Sequence, residues 1–236
     1  MGPRPAPHQA AYRPGGTPAG IVFIANGAGD YRTVTENLTQ VVSEASLPLQ
    51  LQTVCWSRGF RRYVLDEVDH DNHLVHGQEL AVQIGDYRRA YPDRRIYLVG
   101  HSAGCAVLLA AAEMLPPDTL DRIILLSPSV CKSHDLRPSL RACRSGIDLF
   151  CSTSDRWILG LGVGVVGTTE RGCRVAAGRD GFTPVINCPG DAALYEKLRQ
   201  HPWEATALQW TGHDGGHFGN NQTAFLRAYV LPLCAP

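Results

Sequence analysis

The chain has 236 residues, and its 22 basic and 22 acidic side chains give a formal net charge of zero at neutral pH. This length suits one large domain with a sizeable core. The balanced charge, with no basic block, argues against nucleic acid as a partner. No membrane span is expected, because the longest apolar segment, residues 157–166, is short and interrupted by glycine.

Residues 1–19 are rich in proline, glycine and alanine and lack the apolar middle of a secretory signal. We expect a flexible arm over 1–19, followed by one domain over 20–236. The eight cysteines form no C-x-x-C pair and are typical of free thiols in a reducing cytoplasm. The alternative is one disulfide among four of them, which spacing alone does not define: Cys131, Cys143, Cys173 and Cys188.

Short apolar runs alternate with amphipathic stretches along the chain. Apolar or alternating runs, some of them rich in β-branched residues, predict strands at 20–26, 49–56, 95–99, 122–127, 147–152 and 205–210, with a short extra strand at 182–186. Apolar residues at helical spacing predict helices at 33–45, 73–91, 105–115, 136–144, 191–200 and 223–231. The alternation predicts one α/β domain with a mostly parallel sheet of about six strands and helices on both faces.

The stretch Gly100-His101-Ser102-Ala103-Gly104 lies between the third of these strands and a run of small apolar residues. This order predicts a sharp strand–turn–helix with the serine at its apex. Side chains at Gly100 and Gly104 would collide with the neighbouring helix and strand. Ser102 would then stand beside the N–H of Ala103, at a helix N-terminus that favours negative charge. The alternative is a glycine-rich turn whose serine only caps the helix.

A serine hydroxyl is a weak nucleophile that needs a base, and the base needs a third group to orient it. Asp155 follows the fifth predicted strand, and His217 lies in the loop after the last one. Because the carboxyl ends of parallel strands meet at one edge of a sheet, we expect both to approach Ser102. Asp148 and Asp180 are competing acids, and Asp155 could instead cap a helix.

The GHSAG turn, the order Ser…Asp…His and the loop Asn26-Gly27-Ala28-Gly29 after an early strand resemble the α/β-hydrolase fold over roughly residues 20–231. The resemblance implies a three-layer domain close in size to cutinases and small esterases. The usual pair of edge strands at the start of the fold and a large lid domain are not expected, because few residues are available for either.

The resemblance also implies roles for single residues. Ser102 would attack a carbonyl carbon, His217 would take its proton, and Asp155 would orient the imidazole. The backbone N–H groups of Ala28 and Ala103 would bind the oxyanion. His213 is the alternative base, although Gly216-His217-Phe218 matches the family pattern of glycine, histidine and an apolar residue better.

Three further sets of residues have less specific patterns. Tyr31, Trp157 and Ile158 lie just beyond the loops of the site, where they could line a substrate pocket or belong to the core. The cluster of His70, His73 and His76 is expected to be a solvated turn, with Asp71 or Asn72 capping the next helix. Metal binding or a contact with substrate at the rim of the site are the alternatives for this cluster. For His213 and His217, a metal site is the alternative to a role as catalytic base. It is the weaker interpretation, since no third ligand is evident.

The sequence therefore predicts a carboxylesterase-type serine hydrolase that acts on small or medium uncharged esters through an acyl-enzyme. Neither a cofactor nor a metal is expected, and the partner is a small-molecule ester. A thioesterase, amidase or acyltransferase could use the same residues. A non-catalytic binding protein of the same fold is the other alternative, and it is disfavoured because all three residue types occur in order.

Overall fold

The parallel sheet that the sequence predicts is present in the computed structural model, which describes residues 10–59, 66–67, 69–155, 168–170, 173 and 175–235. Seven strands form one sheet in the order β1-β3-β2-β4-β5-β6-β7. Their bounds are β1 Ala10–Tyr12, β2 Gly20–Ala25, β3 Leu49–Thr53, β4 Arg95–His101, β5 Arg122–Leu126, β6 Ile147–Cys151 and β7 Leu198–Pro202.

Helices connect the strands in the described part of the chain. Their bounds are α1 Thr33–Glu44, α2 His70–Ala90, α3 Gly104–Glu113, α4 Arg137–Ala142, α5 Ala177–Asp180, α6 Pro189–Tyr195, α7 Ala205–Leu208 and α8 Thr223–Phe225. A π-helical segment, Leu226–Val230, continues α8. No helix among these residues is long and apolar enough to span a bilayer.

Strands β2 to β7 all pair in parallel, and β1 alone is antiparallel. Along β2, Ile21 and Phe23 belong to the core cluster under α2 and α3, whereas Val22 and Ile24 belong to the cluster under α1 and α8. Both faces are therefore covered, which explains why β2 is an unbroken apolar run.

Strand β1 lies inside the range predicted to be a flexible arm. Residues 10–12 pair with β3, whose outer edge would otherwise leave backbone N–H and C=O groups unpaired. Three residues are too few to carry an alternating pattern, so the sequence gives no indication of this strand.

The prediction of the last strand is wrong. Residues 205–210 contain the helical turn α7, and β7 occupies 198–202, most of it inside the predicted helix 191–200. The residues of β7 are Leu-Arg-Gln-His-Pro, a polar edge strand whose side chains are at least partly exposed. Hydrophobic periodicity reports burial, so it misses a strand of this kind. The short strand expected at 182–186 is also absent from the described residues.

The expectation that all cysteines are free thiols is wrong as well. Cys131 and Cys173 form a disulfide with their Cα atoms 5.8 Å apart. An isolated antiparallel bridge between Cys131 and Ala176 brings the two segments together. Nearby, His134 joins Glu113 and Glu170 through hydrogen bonds of 2.8 and 2.7 Å. Burial opposes its charged form, but these two carboxylates outweigh it and raise the pKa of His134 to about 9.

The histidine cluster also differs from expectation. Helix α2 begins at His70, and Asp69 is its N-cap, since its side chain accepts from the N–H of Asn72. His73 is buried rather than solvated, and its ring packs edge-on against Trp56 with the centroids 5.3 Å apart. Because Asp69 rather than Asp71 or Asn72 is the N-cap, His73 lies within the first turn of the helix, where its side chain is buried.

Candidate active site

The turn between β4 and α3 holds Ser102 in a left-handed conformation, with φ at 53°. A Cβ at Gly100 would lie 2.8 Å from Leu108 Cδ1 of α3, and one at Gly104 would lie 2.3 Å from the carbonyl oxygen of Asn26. The predicted collisions with the helix and the strand are therefore confirmed. Glycine at both positions lets the turn fit between these neighbours and present the serine.

His217 reaches Ser102 in this turn, and Asp155 reaches His217. His217 Nε2 lies 2.9 Å from Ser102 Oγ, and His217 Nδ1 lies 2.7 Å from Asp155 Oδ2. The three side chains come from beyond the carboxyl ends of β4, β6 and β7, and Ser102 and His217 are buried. The arrangement is a continuous hydrogen-bond chain from hydroxyl to imidazole to carboxylate.

His213 lies in a different environment. Its Nε2 donates to Asn220 Oδ1 at 2.8 Å, and its Nδ1 accepts from the N–H of Gly215 at 2.9 Å. Burial lowers its pKa, which agrees with a neutral ring whose two nitrogens both have partners. His213 therefore braces the loop that carries His217. No group of three or more His, Cys, Asp or Glu side chains among the described residues is placed to hold a metal ion.

The competing acids are also engaged elsewhere. The buried carboxylate of Asp148 accepts from three basic side chains: Arg122, Arg199 and His201. Burial works against its charged form, but these bonds outweigh it and hold the pKa of Asp148 well below its usual range. Asp180 lies in α5, 3.7 Å from the guanidinium of the preceding residue.

A second histidine, His101, supports the loop of His217. Its Nε2 lies 3.0 Å from the carbonyl oxygen of His217, and the two ring centroids are 4.8 Å apart. Burial, followed by the proximity of His217, lowers the pKa of His101 to about 3. The ring is therefore neutral at physiological pH, and its Nε2–H donates to that carbonyl.

The loop after β2 packs directly against the turn. A Cβ at Gly27 would lie 3.3 Å from Ser102 Cβ. The N–H of Gly29 donates to Asp66 Oδ2 at 2.9 Å, and Gly29 has a φ of 77°. Ala28 thus lies between Gly27, whose backbone packs close to Ser102, and Gly29, whose N–H donates to a buried carboxylate. On the other side, Ala103 is the N-cap of α3, and the N–H groups of Cys105 and Ala106 donate to the carbonyl oxygens of Ser102 and Ala103.

Two polar residues of this site were missed by the sequence reasoning. Ser129 Oγ lies 3.1 Å from Ser102 Oγ, and burial raises the pKa of the Glu67 carboxyl, which Ser129 and the charge of His217 lower in part, to about 7. Ser129 follows β5, so the rule that polar residues beyond strand ends gather at one edge could have found it. Glu67 lies in the charged segment between β3 and α2, which has no pattern that distinguishes it from a solvated loop.

The expected pocket residues are only partly described. Tyr31 is exposed, and its ring meets that of Phe218 edge-on with the centroids 6.3 Å apart. Phe218 in turn packs against the His217 ring at 5.3 Å, which places Tyr31 at the rim of the site. Trp157 and Ile158 lie outside the described residues.

Comparisons with known proteins agree with this fold. No protein-family model matches the chain. The rat (Rattus norvegicus) monoglyceride lipase is 27% identical over 134 residues, which cover 55% of this chain and 42% of that protein. Protein phosphatase methylesterase 1 of Candida albicans is 29% identical over 136 residues, 56% of this chain and 36% of that protein. The chain thus matches less than half of the length of either relative.

Solved structures match over nearly the whole chain. Esterase PE8 has a TM-score of 0.55 at 17% identity and covers 94% of this chain, with 96% of its own length matched. A serine hydrolase of Xanthomonas campestris, described as lacking a lid, has a TM-score of 0.53 at 12% identity, with 92% and 82% covered. These likenesses, together with the strand order and the turn at Ser102, show that the chain has the α/β-hydrolase fold.

Proposed function

We propose that this protein is a carboxylic-ester hydrolase that works through an acyl-enzyme, with Ser102 as its nucleophile. The observation that carries the proposal is the hydrogen-bond chain from Ser102 through His217 to Asp155, at 2.9 and 2.7 Å. A serine, a base in contact with it and an acid that orients the base are the parts that nucleophilic acyl transfer requires.

In the first half of the reaction, Ser102 Oγ bonds to the ester carbonyl carbon while its proton passes to His217 Nε2. The tetrahedral intermediate collapses when the alkoxide leaves as an alcohol, with the proton returned by His217. Water then attacks the acyl-enzyme, gives a proton to His217 and releases the acid, and the proton returns to Ser102. Asp155 keeps the Nδ1–H tautomer and stabilises the imidazolium in both halves.

The N–H groups of Ala28 and Ala103 are our candidates for the oxyanion hole. The N–H of Gly29 already donates to Asp66. The N–H of Ala28, the preceding residue of this loop, is therefore our candidate for the oxyanion donor. Ala103 adds the partial positive charge of a helix N-terminus. Removal of one such donor typically costs about 2.7–4 kcal/mol of transition-state stabilisation.

Small or medium uncharged esters are the proposed substrates, in agreement with the lipase and esterase names of the relatives. A thioester, an amide or transfer to another acceptor uses the same residues. Partitioning of a trapped acyl-enzyme among water, thiols and amines separates these reactions. A cytoplasmic location stays a prediction, and the Cys131–Cys173 disulfide, a bond rare in reducing compartments, is an argument against it.

The test is hydrolysis of short chromogenic esters, together with covalent labelling by a fluorophosphonate, in the wild type and in Ser102→Ala. We expect the substitution to abolish labelling and to lower kcat by roughly 10⁶-fold, as in other serine hydrolases. The exposed Ser43→Ala is the matched control and should behave as wild type. Equal rates in the wild type and Ser102→Ala would refute the proposal.

A further inference from the structure

The loop after β2, which carries Ala28, is held by hydrogen bonds at both of its ends. At its start, the carbonyl oxygen of Asn26 accepts from the indole N–H of Trp56 at 2.9 Å. At its end, the N–H of Gly29 donates to Asp66 Oδ2 at 2.9 Å. Two buried side chains from outside the loop therefore fix it, and Ala28 lies between the two bonded residues.

The carboxylate of Asp66 meets three donors. Besides the N–H of Gly29, Oδ2 accepts from the hydroxyl of Ser57, and Oδ1 accepts from the N–H of Arg58 at 3.0 Å. Asp66 is fully buried, so these groups rather than water satisfy its oxygens. An ionised carboxylate only accepts and has room for all three bonds. Two segments of the chain, the loop after β2 and the stretch after β3, are thus joined through one side chain.

The backbone of Asp66 is held in turn by His73. His73 Nε2 lies 2.6 Å from the carbonyl oxygen of Asp66, and because a carbonyl oxygen only accepts, the ring nitrogen donates. The same ring packs edge-on against that of Trp56. The two side chains that fix the ends of the loop are therefore connected to each other, so neither is free to shift alone.

The loop held in this way lies directly against the nucleophile. A Cβ at Gly27 would lie 3.3 Å from Ser102 Cβ, and Gly29 has the left-handed φ of 77° that suits glycine. An oxyanion donor acts at about 2.7–3.1 Å from the atom that becomes charged. Release of Gly29 would let the loop relax, so the N–H of Ala28 would leave this narrow range.

We propose that Asp66 is a positioning residue of the oxyanion hole, which holds Gly29 so that the N–H of Ala28 is directed at the reacting carbonyl, with Trp56 as the second anchor of the loop. This inference rests on the proposed function, because it concerns the same acyl transfer. Asp66 acts through Gly29 rather than by contact with the substrate. Its effect should therefore fall on the transition state, where the carbonyl oxygen becomes charged, more than on substrate binding.

The charge of Asp66 acts in the opposite direction. A carboxylate behind the loop repels an oxyanion in front of it, so its removal would speed the reaction if repulsion outweighed positioning. The three donors that bond to Asp66 offset its charge locally. Because the two effects have opposite signs, the direction in which kcat changes on substitution distinguishes them.

The test measures kcat for a chromogenic ester per active site in Asp66→Ala and in the wild type, with competent sites counted by the endpoint of fluorophosphonate labelling. We expect kcat per labelled site to fall roughly 10²-fold, the lower range for loss of one oxyanion donor, with KM unchanged. The inhibition constant of an alkyl trifluoromethyl ketone, which Ser102 converts to a tetrahedral oxyanion, should rise by a similar factor. A merely structural role would lower the number of labelled sites and leave kcat per site unchanged.

Two further variants sharpen the comparison. Asp66→Asn keeps one acceptor oxygen that can still bond to Gly29, so it should recover most of the kcat lost in Asp66→Ala. Asp121→Ala is the matched control, because Asp121 Oδ2 likewise accepts from a backbone N–H, that of Ile96, at 2.8 Å. Ile96 lies near the start of β4, at the end of the sheet away from Ser102. The control should lower stability and leave kcat per labelled site unchanged.

A kcat per labelled site that is unchanged or raised in Asp66→Ala, or that falls equally in Asp121→Ala, would overturn the inference. If Asp66→Ala does not fold by circular dichroism, Trp56→Phe makes the comparison at the other end of the loop, because it keeps an aromatic ring and loses the N–H. An unchanged kcat per labelled site there would be equally decisive against it. Failure of the proposed function looks different, because the wild type would then not be labelled, or Ser102→Ala would be labelled equally.

Discussion

Substitution of Gly104 by alanine tests how closely the turn at Ser102 packs against the end of β2. Helix propensity alone would make alanine stabilising at this position, so a loss of stability reports the packing. The added Cβ would lie 2.3 Å from the carbonyl oxygen of Asn26 and 2.6 Å from that of Ala25. Both contacts are with backbone, so neither can be relieved by turning a side chain. We expect the free energy of unfolding to fall by about 1–3 kcal/mol, the usual cost of overpacking a buried site.

The same substitution should affect catalysis. The two carbonyl groups lie at the end of β2, immediately before the loop that carries Ala28, so relief of the collision displaces that loop from Ser102. Loss of one oxyanion donor lowers kcat by roughly 10²- to 10³-fold. Urea unfolding gives the stability, and hydrolysis of a chromogenic ester gives kcat and KM separately.

Gly85→Ala is the matched control. Gly85 lies within α2, and a Cβ there would meet no atom within 4 Å. Alanine should therefore stabilise the protein by up to about 1 kcal/mol through helix propensity, with kcat unchanged. If Gly104→Ala is as stable and as active as Gly85→Ala, the reasoning about the close approach of strand and turn is refuted.

Three other outcomes follow from the structure. His217→Gln should lower kcat by roughly 10⁴-fold or more, whereas His213→Gln should mainly lower stability; the reverse order in an ester assay would contradict the assignment of the base. Loss of the disulfide in Cys131→Ser/Cys173→Ser should lower the free energy of unfolding by about 4 kcal/mol, as expected for a sequence separation of 42 residues; urea unfolding of the oxidised protein against the variant measures this. The pKa of His134 is raised from 6.5 to about 9 in the folded state. Its contribution to the free energy of unfolding is therefore complete below about pH 6.5 and is lost as the pH rises through about 9. The free energy of unfolding of the wild type should therefore fall by up to about 3 kcal/mol over that range relative to that of His134→Gln. Parallel curves of unfolding free energy against pH for the two proteins would refute this.

The turn at Ser102 was predictable because it is a local feature. Two glycines around a serine, placed between a β-branched run and a run of small residues, leave few backbone conformations that fit a strand–turn–helix. The parallel sheet was predictable for a related reason, since strands covered on both faces are continuous apolar runs. Where a strand was polar, as at 198–202, the same reasoning failed.

The partners of Ser102 were decided by the tertiary structure. His213 and His217 are four residues apart in one loop, and only the packing of that loop, with Asn220 on one ring and Asp155 on the other, places them differently. Asp66 reaches the loop after β2 from a segment that resembles a solvated loop. By itself the sequence determined the fold, the turn that presents Ser102 and the chain order of the residues proposed for the site. The surrounding hydrogen bonds depend on loops whose positions are set by distant elements, and no local pattern encodes those contacts.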